Sequence, residues 1–258
     1  MFTVQERNSI RDRLLDIARN DHRIASAAFV GSTSEGGDRW SDLDLTFGVA
    51  EEASLSEVLN EWTDKCEKEF QALKLFDLVS GPSIYRVFLF PRNLQVDLSF
   101  TPSKEFGSAG PKFHLLWGNN IERKRALPPA PDYLFGLAVH HLVRARICIE
   151  RGKLWQAEYW INEARNHALT LACLRFGLET SNGRGFDSLP KEILGSFAET
   201  LQREISREQL LMALGKTLDG LLQNSNDLVH ASRLAQELQE LKSSNLDYHQ
   251  SPLRDEKF

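Results

Sequence analysis

Residues 42–47, Asp-Leu-Asp-Leu-Thr-Phe, alternate polar and apolar without a break. A period of two suits an extended strand, which throws successive side chains to opposite faces. Asp42, Asp44 and Thr46 then share one face, and Leu43, Leu45 and Phe47 share the other. The apolar face has to be covered and the carboxylate face has to stay open, so the stretch predicts a sheet with helices on one side.

Two neighbouring carboxylates repel each other unless one is protonated or a cation bridges them. Closely spaced hard oxygens that leave room for phosphate are the donor set Mg²⁺ uses, which predicts a third acid nearby. Residues 94–100 supply it: Leu94, Val96, Leu98 and Phe100 point one way, and Gln95, Asp97 and Ser99 the other. Ahead of the pair, Ala27 to Val30 reads as a short apolar strand running into Gly31-Ser32. Gly31 permits close backbone approach to a phosphate, and the Ser32 hydroxyl can donate to the same oxygens.

Gly-Ser turn, paired acids, intervening hydrophobics and a distant third acid, in that order, resemble the active site of the polymerase-beta-like nucleotidyltransferase superfamily over about the first hundred residues. The resemblance implies a short helix after the turn whose N–H groups hold a nucleoside triphosphate, most naturally ATP. It also implies two Mg²⁺ ions, with Asp42, Asp44 and Asp97 as ligands and Asp97 serving the ion beside the attacking hydroxyl. Gly31, Ser32, Arg39 and Ser41 are the expected nucleotide-binding residues. Arg39 is near enough in sequence to reach the phosphates, or else it is a surface arginine closing a loop.

The rest of the chain divides by pattern. Ile10, Leu14, Leu15, Ile17 and Ala18 give residues 4–20 a helical period, and Leu55, Val58, Leu59, Trp62, Cys66 and Phe70 do the same for residues 51–73. Three β-like runs, 75–79, 83–90 and 94–100, are separated by Gly81-Pro82 and Pro91-Arg92-Asn93 and read as a meander that brings Asp97 beside the first two acids. Residues 101–131 are rich in glycine and proline and read as an irregular connection. Within it, Arg123-Lys124-Arg125 either faces a triphosphate or is a solvated charge run.

Beyond Pro131 the period is helical throughout, with helices expected over 132–151, 154–178, 189–203, 207–222 and 226–241, hence a bundle. The predicted fold is therefore α+β: a nucleotidyltransferase domain over 1–127 built on a small mixed sheet, an all-α bundle over 128–243, and a flexible tail over 244–258. The order, a sheet domain with the acids and then a helical bundle, resembles the small-molecule nucleotidyltransferases that modify aminoglycoside or lincosamide antibiotics, and residues 155–165 with the later Gly183-Arg184-Gly185-Phe186-Asp187-Ser188-Leu189-Pro190 resemble the bundle domain of uncharacterised members of that group. His140 and His141 are helix neighbours pointing about 100° apart, which suits packed or surface histidines better than one shared ion.

A 258-residue chain with 41% hydrophobic residues can bury two modest cores. Its formal charge of -5 disfavours an extended nucleic-acid partner, whose phosphates need a basic surface. Cys66, Cys148 and Cys173 match no zinc spacing and read as reduced packing residues. No apolar signal core opens the chain and no run suggests a membrane span, so a cytoplasmic location is expected.

The implied reaction moves a nucleoside monophosphate to a hydroxyl of a small molecule, with release of pyrophosphate. Glu163 is the expected general base or acceptor-binding carboxylate, since a helix places it on one side with Tyr159, Trp160, Asn166 and His167; Glu158, on another side, is the substitute. Two other functions fit the same features: a protein-modifying nucleotidyltransferase, and a catalytically silent nucleotide-binding regulator. Either a monomer or a homodimer is compatible with the sequence.

Overall fold

The structure, a computed structural model, describes residues 1–31, 37–108, 112–124 and 127–242. The fold is α+β, and the chain divides into two compact units, residues 1–126 and 127–258. The first opens with helix α1 (Val4–Arg19), started by a reciprocal cap: the Thr3 hydroxyl accepts from the Glu6 N–H while the Glu6 carboxylate accepts from the Thr3 N–H. Strands β1 (Ile24–Val30) and β2 (Leu43–Val49), helix α2 (Leu55–Phe70), and strands β3 (Leu73–Ser80), β4 (Ser83–Phe90) and β5 (Leu94–Pro102) follow. Short strands β6 (Gly107–Ser108), β7 (Phe113–Trp117) and β8 (Ile121–Glu122) complete the unit.

The main sheet runs β3-β4-β5-β2-β1-β7, with β2 and β5 parallel and the other neighbours antiparallel. The meander expected from the turn residues is β3-β4-β5, and it delivers β5 directly against β2. Residues 101–131 correct the expectation of an irregular connection, because β7 lies among them and pairs with β1 at the far edge. Five residues flanked by glycine and proline carry too little periodicity to announce a strand; pairing with β1 decides it. Helix α2 is shorter than its period suggested. Ser54 caps it by accepting from the Glu57 N–H, and the chain leaves at Gln71 in the left-handed conformation (φ 55°) to enter β3.

Helices α1 and α2 cover the apolar face of the sheet. Leu14 of α1 and Val58 and Trp62 of α2 are buried with Leu43, Leu45, Phe47, Leu98 and Phe100. The Trp62 ring sits 4.9 Å from Phe47 and 5.4 Å from Phe100, and its indole N–H donates to the Asp21 carboxylate at 3.2 Å. Removing that ring opens a cavity under both strands that carry the acids. Trp62→Ala is expected to cost about 3–5 kcal/mol, read as a lower urea midpoint with an unchanged slope.

The second unit is helical: α3 (Pro131–Glu150), α4 (Leu154–Arg175), α5 (Lys191–Ala198), α6 (Arg207–Gln223) and α7 (Val229–Gln239). Gly152, at φ 67°, ends α3 and turns the chain into α4. Helices α3, α4 and α6 share one core that includes Leu142, Ala145, Ile161, Ala168, Leu214 and Leu218. Helix α5 is half the expected length. Pro190 is extended ahead of it, and past Ala198 the Arg165 guanidinium binds both the carbonyl and the hydroxyl of Thr200, at 3.1 and 3.2 Å, drawing the backbone out of the helix. Among the described residues no helix is long and apolar enough to cross a membrane. The tail expected over 244–258 lies outside the described residues.

Candidate active site

Strands β2 and β5 run in parallel register: Leu43 beside Val96, Asp44 beside Asp97, Leu45 beside Leu98 and Thr46 beside Ser99. Neighbours in such a pair point the same way, so Asp44 and Asp97 stand side by side on the face opposite the helices. One step further along, the Ser99 hydroxyl donates to Thr46 Oγ1 at 2.6 Å, which satisfies two buried hydroxyls beneath the acids. A slip of one residue would drive both aspartates into the core and the leucines out, so the apolar pairs hold the acid pair in place.

Burial pushes the Asp97 carboxyl above its usual range, and the charge of Asp42 pushes it further; a hydrogen bond from Gln95 Nε2, at 3.1 Å, opposes both. Asp42 lies one residue ahead of β2 instead of within it, yet still acts on Asp97. Gly31, at φ 67°, ends β1 beside Asp44. A Cβ there would sit 2.3 Å from Asp44 Oδ2, so glycine is what leaves room for that carboxylate. Ser32, and the turn after it, lie outside the described residues.

The loop entering β2 is tied internally. Ser41 Oγ accepts from the Asp38 N–H at 2.9 Å and donates to Asp38 Oδ1 at 3.0 Å, so its hydroxyl is engaged within the loop. Arg39 is exposed, stacked 4.5 Å over Trp40, with a nitrogen 3.5 Å from the Phe2 carbonyl. Arg7 was not anticipated: buried on α1, it donates to the carbonyls of Asp38 at 2.6 Å and Ser41 at 2.9 Å, fixing the backbone just before Asp42. Its signal in the sequence is slight, an arginine seven residues ahead of Leu14 on the buried stripe of the helix.

In the helical unit, His141 of α3 stacks on His167 of α4 (5.1 Å, 28°) and lies 5.0 Å from the Trp160 ring, over which Arg144 sits at 4.7 Å. Glu163 belongs to this cluster: its charge acts on both His141 and His167. Glu158 instead acts on the buried Arg165, on another side of α4. His141 Nδ1 and Trp160 Nε1 are buried without hydrogen-bond partners among the described residues. Burial holds both His141 and His167 below the usual histidine value of 6.5. As they stand, no three His, Cys, Asp or Glu side chains among the described residues converge to hold a metal ion, the aspartate trio included.

No protein-family model matches the chain, and no curated protein matches it. Among solved structures, an aminoglycoside 6-adenyltransferase from Bacillus subtilis aligns with 91% of this chain and 97% of its own, at 15% identity and a TM-score of 0.40. A likeness of that size is too slight to bear on function.

Two pH effects follow from the burial of these groups. Asp97, raised in the fold above the ordinary 3.8, destabilises the ionised folded state at neutral pH. Asp97→Asn should therefore raise the melting temperature at pH 7, and the gain should vanish below about pH 3.8, where the carboxyl is neutral folded and unfolded alike. The histidines work in the opposite sense. As pH falls through 6.5 the unfolded chain takes up protons that folded His141 and His167 resist, so stability drops. Thermal melts between about pH 7.5 and 5 should show that drop, and it should flatten in the double variant His141→Gln, His167→Gln.

Proposed function

We propose that this protein is a nucleotidyltransferase that moves a nucleoside monophosphate from a nucleoside triphosphate, ATP in the first instance, to a hydroxyl of a small molecule. The observation that supports the reading is the in-register neighbouring of Asp44 and Asp97 on the sheet face opposite the helices, with Asp42 acting on Asp97. Three carboxylates on and just ahead of one strand pair repel each other. Their mutual repulsion is relieved by cations, and the donor set is the hard-oxygen kind that Mg²⁺ takes. The raised Asp97 carboxyl is in keeping with that reading, since a partly desolvated acid is a position where a nearby positive charge is favoured.

Asp42 and Asp44 would hold both ions, and Asp97 the one on the acceptor side. Bound there, the ions would lower the cost of charge on the attacking oxygen and on the departing pyrophosphate. The acceptor oxygen forms a bond to the α-phosphorus as the bond to pyrophosphate breaks, and the hydroxyl proton passes to a base. We assign that base to Glu163, with Glu158 as the substitute. The aromatic and histidine groups around Glu163 suit a hydroxyl-rich acceptor, because rings offer stacking faces and orphaned polar atoms offer hydrogen bonds. An aminoglycoside or a related antibiotic is an acceptor of that chemistry.

Calorimetry with ATP and Mg²⁺, paired with assay of pyrophosphate release over a panel of hydroxylated antibiotics, tests the roles separately. Asp42→Asn and Asp44→Asn should each abolish Mg²⁺-dependent nucleotide binding. Asp97→Asn should keep affinity within a few-fold and lose turnover, and Glu163→Gln should lower turnover by ~10²–10⁴ with nucleotide affinity intact. Unchanged Mg²⁺-dependent affinity in both Asp42→Asn and Asp44→Asn would remove the basis of the assignment.

A further inference from the structure

Strand β3 is the outermost strand of the main sheet, bonded to β4 on one side and to no strand among the described residues on the other. All eight of its residues are exposed, with Leu73, Leu75, Phe76, Leu78 and Val79 between 48% and 68% accessible. Apolar side chains thus stand in water on both faces of a strand whose outer edge is also open. Natural sheets blunt such edges by shortness, by proline, by a bulge, or by an unbalanced charge, commonly lysine. Shortness and proline do not operate on β3, which holds eight residues; Lys74 pairs with Asp77 at 2.9 Å, a carboxylate it shares with Arg86 of β4, and the one device present is the irregularity between Lys74 and Phe76.

The order of side chains along β3 indicates what covers it. Lys74 lies opposite Phe88 and Asp77 opposite Arg86 on β4, with an irregularity at Leu75 between them. Phe88 and Arg86 are two residues apart, so Lys74 and Asp77 share a face despite being three apart. Leu73, Phe76 and Leu78 lie opposite Leu89, Val87 and Tyr85 and share the other face. With Leu75 as the extra residue of a bulge, the strand is symmetric about Phe76: opposite charges one step away on either side, and leucines two steps away. A strand of that order is complementary to its own antiparallel copy.

We propose that β3 docks against β3 of a second copy of this chain, antiparallel and centred on Phe76. Each Phe76 then faces its counterpart at a two-fold axis, Lys74 of each copy faces Asp77 of the other, and Leu73 faces Leu78. The two sheets become continuous, and the large apolar side chains on both faces gain neighbours. The axis is perpendicular to the sheet, so corresponding faces of the two copies lie on one side. Phe76, Val87, Asp97 and Asp44 form one row across that face. The two Asp97 positions are thus five strand spacings apart, ~24 Å at ~4.8 Å each.

Sedimentation velocity on the full chain over a concentration series tests the interface. A reversible dimer is expected. Phe76→Lys should give a monomer with unchanged circular dichroism and melting temperature at low concentration, because Phe76 is 55% exposed and the change sets like charges together on the axis. Phe76→Cys should form a reducible covalent dimer on mild oxidation, its two Cα atoms lying about 4.5–5.5 Å apart, within disulfide reach. Val79→Cys, far from its own copy in this register, should not. A chain that stays monomeric at every concentration, as an edge meant for an extended segment of another protein would, overturns the proposal. So does a dimer that Phe76→Lys leaves intact, or one that Val79→Cys cross-links as readily as Phe76→Cys.

Discussion

The parallel pairing of β2 with β5 is the constraint on which the rest of the first unit depends. Three apolar pairs, Leu43 with Val96, Leu45 with Leu98 and Phe47 with Phe100, are buried against the helices, and the alternating positions are carried to the other face as a consequence. Asp44 and Asp97 are neighbours because the leucines beside them are neighbours. Hydrophobic burial, worth ~25 cal/mol per Å² of apolar surface, is thereby converted into the positioning of two charges that would not approach each other unaided.

Holding them there strains the local chemistry, and the surroundings show where that is met. Asp97 is raised by its burial and by Asp42, which is a cost to the fold at neutral pH. Gly31 removes the Cβ that would strike Asp44, and Arg7 anchors two carbonyls of the loop leading into β2. Ser41 and Asp38 close that loop on themselves. These residues act on the backbone around the acids, so their loss would be felt through misplacement of carboxylates.

The helical unit keeps its own polar cluster. His141 packs against both His167 and Trp160 across α3 and α4, with Glu163 close enough to offset part of the burial that holds the two histidines below their ordinary value. His140 and His141 are neighbours on one helix, where successive side chains diverge by about 100°. Their rings lie 5.4 Å apart, and His141 turns to His167 and Trp160 instead.

Local order along the chain determined a good deal. Alternation assigned the faces of β2 and β5, helical periods located α1, α2 and the five helices of the bundle, and turn residues marked the β3-β4-β5 meander, because each of these signals is read within a few residues. Only the tertiary structure decided that β2 and β5 lie parallel in a register that matches Asp44 with Asp97, since strand pairing joins residues 53 positions apart through contacts no local window contains. It also decided that Phe113–Trp117 is a strand, that α5 stops at Ala198, and that Arg7 belongs to the neighbourhood of the acids. In each case a distant partner, β1, Arg165 or the loop carbonyls, supplies the hydrogen bonds that settle the matter.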